Sequence, residues 1–422
     1  MIKILHQKLF QSKKIKNFFI YGFGQAINLI SPLLVIPYIV SICAKDGLGK
    51  IGVGFSFALI FNVLIDYGSY INGTKEISIN RDNSEILRKK IASIYVMKFF
   101  LLLFFAMVAF LIVQFVPFFN KEAAVFYFSF LCVVGQFINP TWIFQGTESY
   151  KWISFVNILS KFIYVVCIFV FIKKSNDYIY ANAYLGLGLI IASLVGLLVI
   201  INQYKLKFYS GISSDAILLI KEEFSLTFSQ LFLSFYQYLP IILISAIGGN
   251  TMAGQYRIID QILTVFRTYL QMFFNFVYAD VCLQFHRSLK DGFKPWLKYN
   301  GLNYILIVVL ASTVFIFTNK ILLFFKLHAS ELDIMGGYLK IGLLIPIFMG
   351  ITFALKQLIL ALNKNKEYIR ITIGTTFLSL GLLYFLVNRI GLEGAFITTI
   401  CIEIIVIILY YFVLKPIFSF NK

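Results

Sequence analysis

Runs of about twenty or more predominantly apolar residues follow one another along almost the whole chain, parted by short charged connections. A helix of that length matches the roughly 30 Å hydrocarbon core of a bilayer. Inside that core every backbone N–H and C=O needs an internal partner, which leaves only helices or a closed barrel. These runs are continuous rather than alternating, so helices are expected. The expected spans are 17–43, 48–71, 91–116, 122–144, 150–172, 179–201, 225–247, 254–283, 299–318, 334–361, 366–388 and 392–414. The fold class is therefore all-α, a polytopic membrane protein of about twelve transmembrane helices.

Charge supports this and sets an orientation. Only 13% of residues are charged, against roughly 25% in soluble proteins. The net charge of +18 comes from 37 Lys and Arg against 19 Asp and Glu. Those cations sit mainly between the apolar runs, which marks topology rather than a nucleic-acid face. Lys and Arg on the side of the N-terminus and the even-numbered connections outnumber the others by roughly three to one. Both termini and the 202–224 connection are thus expected in the cytoplasm. The first run, after Lys3, Lys8, Lys13, Lys14 and Lys16, is too long for a signal peptide and has no A-x-A site, so it is expected to be the first helix.

The 202–224 connection carries an amphipathic stretch, Ser213 to Glu223, expected to lie along the cytoplasmic interface. It divides the chain into two six-helix bundles, 1–211 and 212–422. A weak repeat accompanies the division. Pro37 lies late in the first helix and Pro240 late in the seventh; Gly47 and Gly49 open the second, and Gly254 the eighth. Parallel halves of this kind are a transporter arrangement.

Polar groups within spans are costly and mark interiors or water-filled paths. The eighth span carries Arg257, Asp260, Thr264, Arg267, Gln271, Asn275 and Tyr278 at helical spacing on one face. Twenty-one residue steps cover about 32 Å, the whole hydrocarbon core. A hydrogen-bonded seam between helices would also give such a stripe, but it would not need Arg267 near mid-depth. Gln25 and Asn28 on the first span, Asp66 on the second, Lys161 on the fifth and Glu403 on the twelfth extend the polar interior to both halves. Further polar positions are Thr227, Gln230, Ser234 and Gln237 on the seventh span. Lys98 and Lys356 lie within about three turns of cytoplasmic ends, close enough to snorkel.

Several other chemistries fit the sequence less well. Cys43, Cys132, Cys167, Cys282 and Cys401 form no C-x-x-C pair and suit an apolar interior. Gly47-Leu48-Gly49-Lys50-Ile51-Gly52 fits a dinucleotide fingerprint but follows a span rather than a strand. There is no phosphate-binding P-loop, and His6, His286 and His328 are far apart, so neither a metal nor another cofactor is expected. A glycan polymerase or ligase would need a substantial outer loop bearing catalytic groups, and the outer connections are short. The chain is expected not to be an enzyme.

Four stretches resemble the Wzx-type polysaccharide flippases of the multidrug/oligosaccharidyl-lipid/polysaccharide exporter superfamily. They are Tyr21–Val40, Leu48–Ser78 with Asp66-Tyr67-Gly68, Ile138–Val165 with the pattern P-x-W-x-F-Q-G-x-E at Pro140–Glu148, and Ala253–Ile262. Where many relatives have proline late in helix 8, this chain has Ala279-Asp280.

The resemblance implies a MATE-like pair of six-helix bundles in the bacterial inner membrane, working by alternating access. It implies undecaprenyl-diphosphate-linked oligosaccharide as substrate, for O-antigen (lipopolysaccharide) or capsule synthesis. Beside membrane lipids, it leaves room for an H+ or Na+ counter-ion and a polysaccharide polymerase partner. On this expectation Arg267 and Lys161 receive the diphosphate-sugar head, with Arg257, Gln271, Thr264, Asn275, Gln25 and Asn28 lining the path. Asp260, Asp66 and Glu403 restrain charge or couple an ion. A cation-coupled drug exporter of the same fold is the alternative, and these same carboxylates would serve it.

Overall fold

The computed structural model describes the backbone of residues 2–206, 209 and 211–419, and their side chains except at 2–21, 23, 25, 279, 286, 289–291 and 417–419. Among the described residues the secondary structure is helical throughout. The long helices are α1 (Ile2–Asp66), α2 (Ser84–Phe115), α3 (Ala123–Ile138), α4 (Tyr150–Phe171), α5 (Ala181–Tyr204), α6 (Ile212–Arg287), α7 (Leu289–Ile316), α8 (Leu344–Ala361), α9 (Asn365–Ile390) and α10 (Leu392–Ser419).

Ten helical stretches among the described residues are long and apolar enough to cross a bilayer. Two of them, Ala26–Asp66 and Ile212–Phe285, run 41 and 74 residues, far more than the roughly 20 that one crossing needs. Each is broken. The backbone leaves helical geometry at Ala44 (φ 55°, ψ −177°) in α1 and at Gly249 (φ 82°, ψ 172°) in α6. These breaks fall between the first and second and the seventh and eighth expected spans, so ten stretches accommodate twelve spans. The chain is a polytopic, all-helical membrane protein.

Two compact units form, Met1–Ser234 and Phe235–Lys422. The first is built on Ile91, Ile94, Met97, Trp142, Ile143, Phe144, Val156 and Ile200, all buried. The start of α6 belongs to this unit because Ala216, Leu219 and Ile220 pack on that cluster. Residues 213–223 are therefore the first turns of a continuous helix rather than a separate element. Asn182 ties α5 to its neighbours by donating to the Ile51 carbonyl and to Ser129 Oγ, both at 2.8 Å.

The second unit is built on Val277, Val281, Phe285, Leu358, Ile359, Ile402, Tyr410 and Leu414. A polar seam joins α7 to α8. Trp296 Nε1 donates to the Ala354 carbonyl at 3.1 Å, and Asn300 Nδ2 to Gln357 Oε1 at 2.9 Å. The second bond is buried, where a lost partner would leave a costly unsatisfied group.

Candidate functional site

Four residues of the stripe on α6, Arg257, Asp260, Thr264 and Arg267, form one connected group around Asp260. Arg267, two turns on, donates from Nη2 to Asp260 Oδ1 at 2.5 Å. Arg257, one turn before, brings Nη1 to 3.8 Å from Asp260 Oδ2. Two guanidinium groups thus flank one carboxylate. The cluster is open rather than sealed: the side chains of Arg257, Asp260 and Arg267 are 24%, 13% and 30% exposed. Thr264 is partly exposed and donates its hydroxyl to the Asp260 carbonyl at 2.7 Å. Gln271 and Asn275 are exposed and joined by Nε2 to Oδ1 at 2.9 Å. A flanking face of the same turns is core, with Leu263, Phe266, Leu270 and Phe274 buried. The stripe is thus an accessible line of guanidinium and amide groups, suited to anions and to sugar hydroxyls.

Two further charges of this unit lie on α8 and α10. Glu403 is 6% exposed, and Thr352 donates to its Oε2 at 2.6 Å. Lys356, one turn after Thr352, sits over the rings of Phe274, Phe353 and Tyr368 at 5.3, 5.5 and 5.3 Å. Three ring faces stabilise the ammonium by cation–π attraction, so Lys356 is held in the protein rather than reaching to an interface. Sequence spacing did not indicate the cage, because its rings come from three helices.

The first unit arranges its charges differently. Lys98 on α2, only 1% exposed, reaches Asp66 Oδ1 at 2.9 Å and lies 5.6 Å from the Trp142 ring. It turns inward and does not snorkel. Asp66 also accepts the backbone N–H of Tyr70 at 3.0 Å. That bond caps a sharp turn, with Tyr67 at φ 47° and Gly68 at φ 74°, followed by a π-helical turn over Ser69–Gly73. Such turns favour glycine, and the Asp-Tyr-Gly sequence supplies both the acceptor and the residue tolerant of positive φ.

This turn explains why two separated motifs occur together. Thr74 Oγ1 donates to the Trp142 carbonyl at 3.1 Å. A Cβ on Gly146 would lie 2.8 Å from the Thr74 carbonyl oxygen and 2.7 Å from Ile77 Cβ. Only glycine permits so close an approach. The Asp66-Tyr67-Gly68 turn and the Pro140–Glu148 segment are therefore two sides of one packing contact.

Lys161 on α4 is partly buried, with its ammonium 5.9 Å from the Tyr164 ring. Among the described residues no carboxylate lies within ion-pair distance of it. Asn28 is partly buried and engaged by a partner, whereas the side chain of Gln25 lies outside those described. Thr227 and Ser234 are buried and bond carbonyls of their own helix, at 2.9 and 2.8 Å, so they add no free donor. The structure thus joins Arg257, Asp260, Thr264 and Arg267 into one cluster and Gln271 with Asn275 into a pair. It places Glu403 in the same unit, and Asp66, Lys161 and Asn28 in the other.

Comparison with known proteins agrees with this architecture. Residues 15–279 match the family described as "Polysaccharide biosynthesis protein". A candidate O-antigen transporter of Escherichia coli (strain K12) is 22% identical over 395 residues, covering 90% of this chain and 92% of the relative. Its counterpart in Shigella dysenteriae is 22% identical over 409 residues, covering 95% and 99%. Among solved structures, an inward-facing multidrug resistance MATE family transporter of the MOP superfamily superposes with a TM-score of 0.71 at 12% identity, covering 94% of this chain and 95% of that one. The lipid II flippase MurJ, in an inward closed conformation, gives 0.70 at 13% identity, covering 95% and 87%. At such identities these two likenesses concern the fold.

Proposed function

We propose that this chain, which belongs to the polysaccharide biosynthesis protein family, moves a lipid-linked oligosaccharide across the bacterial inner membrane. The relatives are transporters rather than enzymes. The substrate is an undecaprenyl-diphosphate-linked repeat unit for O-antigen or capsule, carried from the cytoplasmic to the periplasmic leaflet by alternating access. Both termini lie in the cytoplasm.

The observation that carries the reading is the open cluster of Arg257, Asp260 and Arg267, in which two guanidinium groups flank one carboxylate. A diphosphate-sugar head needs cationic hydrogen-bond donors and a hydrated path, while its polyprenyl tail can stay in lipid. Arg267 offers a planar fork that matches a phosphate. Asp260 holds that fork in position and lowers the cost of keeping it in the membrane without a ligand. Gln271 and Asn275 continue the line with amides suited to sugar hydroxyls. Lys161 supplies positive charge in the first unit. Glu403, buried beside Thr352, is the candidate carrier of a coupled proton or a ligand to Na+.

A drug exporter of the same fold would bind organic cations, and the two guanidinium groups on the stripe disfavour them. Deleting the gene in its native host tests the choice. The account expects loss of surface polysaccharide and build-up of lipid-linked repeat units, with drug sensitivity unchanged. Intact surface polysaccharide together with drug hypersensitivity would favour the exporter.

A further inference from the structure

The first unit carries an apolar groove of about 660 Å³ that the polar stripe does not use. Tyr95, Val96, Phe99 and Phe100 of α2, Phe137 of α3 and Ile201 of α5 line it. Its size falls within the roughly 300–1,000 Å³ of ordinary small-molecule sites. Its aromatic wall is braced: the Phe137 ring lies 6.2 Å from Tyr95 and 6.3 Å from Phe99. The Tyr95 hydroxyl is taken up by the Ile138 carbonyl at 3.1 Å, so the ring offers the groove its apolar body. Phe99 and Phe100 are nearly half exposed.

Basic side chains stand just beyond one end of this groove. Ala92 and Leu206 are among its lining residues. One turn before Ala92 stand Arg88 and Lys89. Arg88 Nε donates to the Tyr204 carbonyl at 2.9 Å, which holds the guanidinium beside the residues that close the groove. Lys89 is more than half exposed and pairs with Glu85, which is more exposed still, and Lys205 is exposed as well. An apolar slot with guanidinium and ammonium groups just beyond one end complements an amphiphile with an anionic head.

We propose that this groove is a docking site for the carrier lipid, holding the isoprenoid chain of a polyprenyl diphosphate with its phosphates at the Arg88–Lys89 end. The proposal rests on the reading that the substrate is polyprenyl-linked. It assigns to the first unit a lipid site distinct from the stripe on α6. A methyl-branched isoprenoid fills a wide aromatic slot better than a straight acyl chain. A diphosphate gains more from two cations than the single phosphate of a membrane phospholipid does.

The test uses the full chain in nanodiscs of phosphatidylethanolamine and a polyprenyl diphosphate with a photoreactive diazirine on its chain. The expected result is crosslinking within 92–100 and at Phe137, displaced by undecaprenyl diphosphate but not by equimolar phosphatidylglycerol. Val96→Trp, which fills the slot, and the pair Arg88→Gln, Lys89→Gln should each lower labelling by about tenfold, equivalent to roughly 1.4 kcal/mol. Mapping on the unaltered chain keeps the test decisive if Val96→Trp does not fold. Equal displacement by phosphatidylglycerol, or labelling spread evenly over the lipid-facing helices, overturns the site. Saturable binding of lipid-linked oligosaccharide in the same nanodiscs, without label in the groove, overturns this site and leaves the transport reading standing. Absence of any saturable binding overturns both.

Discussion

Each unit places a carboxylate against a basic side chain inside the membrane, and the two arrangements differ in access. In the first unit Lys98 is 1% exposed and points at one oxygen of Asp66, whose other oxygen caps the turn at Tyr70. In the second, Asp260 stands between Arg257 and Arg267, and the guanidinium side chains are 24% and 30% exposed. The sealed pair has its charges matched and encloses its ammonium, although Asp66 itself stays 17% exposed. The open cluster holds two guanidinium groups about one carboxylate and has a face to present them. On the proposed function, the same pairing chemistry serves as a fastener in one unit and as a receptor in the other.

The largest expected effect lies in the open cluster. Arg267→Ala should abolish surface polysaccharide at a normal protein level in the membrane, and Arg267→Lys should retain part of it. Truncating a charge that binds a desolvated partner typically costs about 2–5 kcal/mol, more than tenfold in binding. Normal export by Arg267→Ala would make this cluster another fastener and erase the contrast.

The sealed pair should show the opposite signature. Asp66→Ala leaves Lys98 buried and unpaired, a loss of about 3–5 kcal/mol. Melting temperature and membrane protein level should both fall. Replacing both partners, Asp66→Asn with Lys98→Met, should restore stability to within about 1 kcal/mol, because a buried pair contributes little over an apolar substitute. A double variant that is stable but does not export would move Asp66 from fastening to transport.

Lys161→Ala should weaken export several-fold without altering protein level, since no carboxylate among the described residues depends on it. At the far end of the scale, Lys50 bonds Glu122 at 2.6 Å and Asp46 at 3.1 Å, and both Lys50 and Glu122 are partly exposed. Lys50→Met should cost only about 0.5–1 kcal/mol in thermal stability and leave export unchanged. A larger loss would mean that this cluster also acts as a fastener.

The helices were legible because the bilayer demands long apolar runs and leaves the backbone no other option. The stripe was legible for a similar reason. Seven polar positions at helical spacing within one span have few explanations, and the joining of Arg267 to Asp260 follows from their separation of two turns. Pairings across helices were not legible. Lys98 looked like a snorkelling lysine because sequence gives its depth but not its neighbour, and Asp66 is 32 positions away on another helix. Lys356 looked alike for the same reason, although its cage uses Phe274, Phe353 and Tyr368. The Asp-Tyr-Gly turn and the Pro140–Glu148 segment were recognisable as patterns, yet their contact through Thr74 and Gly146 is a matter of packing.

The most direct test of the open-versus-sealed account is translocation of a lipid-linked oligosaccharide in proteoliposomes. Flux would be compared for the unaltered chain, Arg267→Ala, and the double variant Asp66→Asn, Lys98→Met, at equal reconstituted protein. The account predicts flux near the unaltered level for the double variant and none above protein-free vesicles for Arg267→Ala. Flux by Arg267→Ala with none from a folded double variant would contradict it, placing the working charge in the first unit.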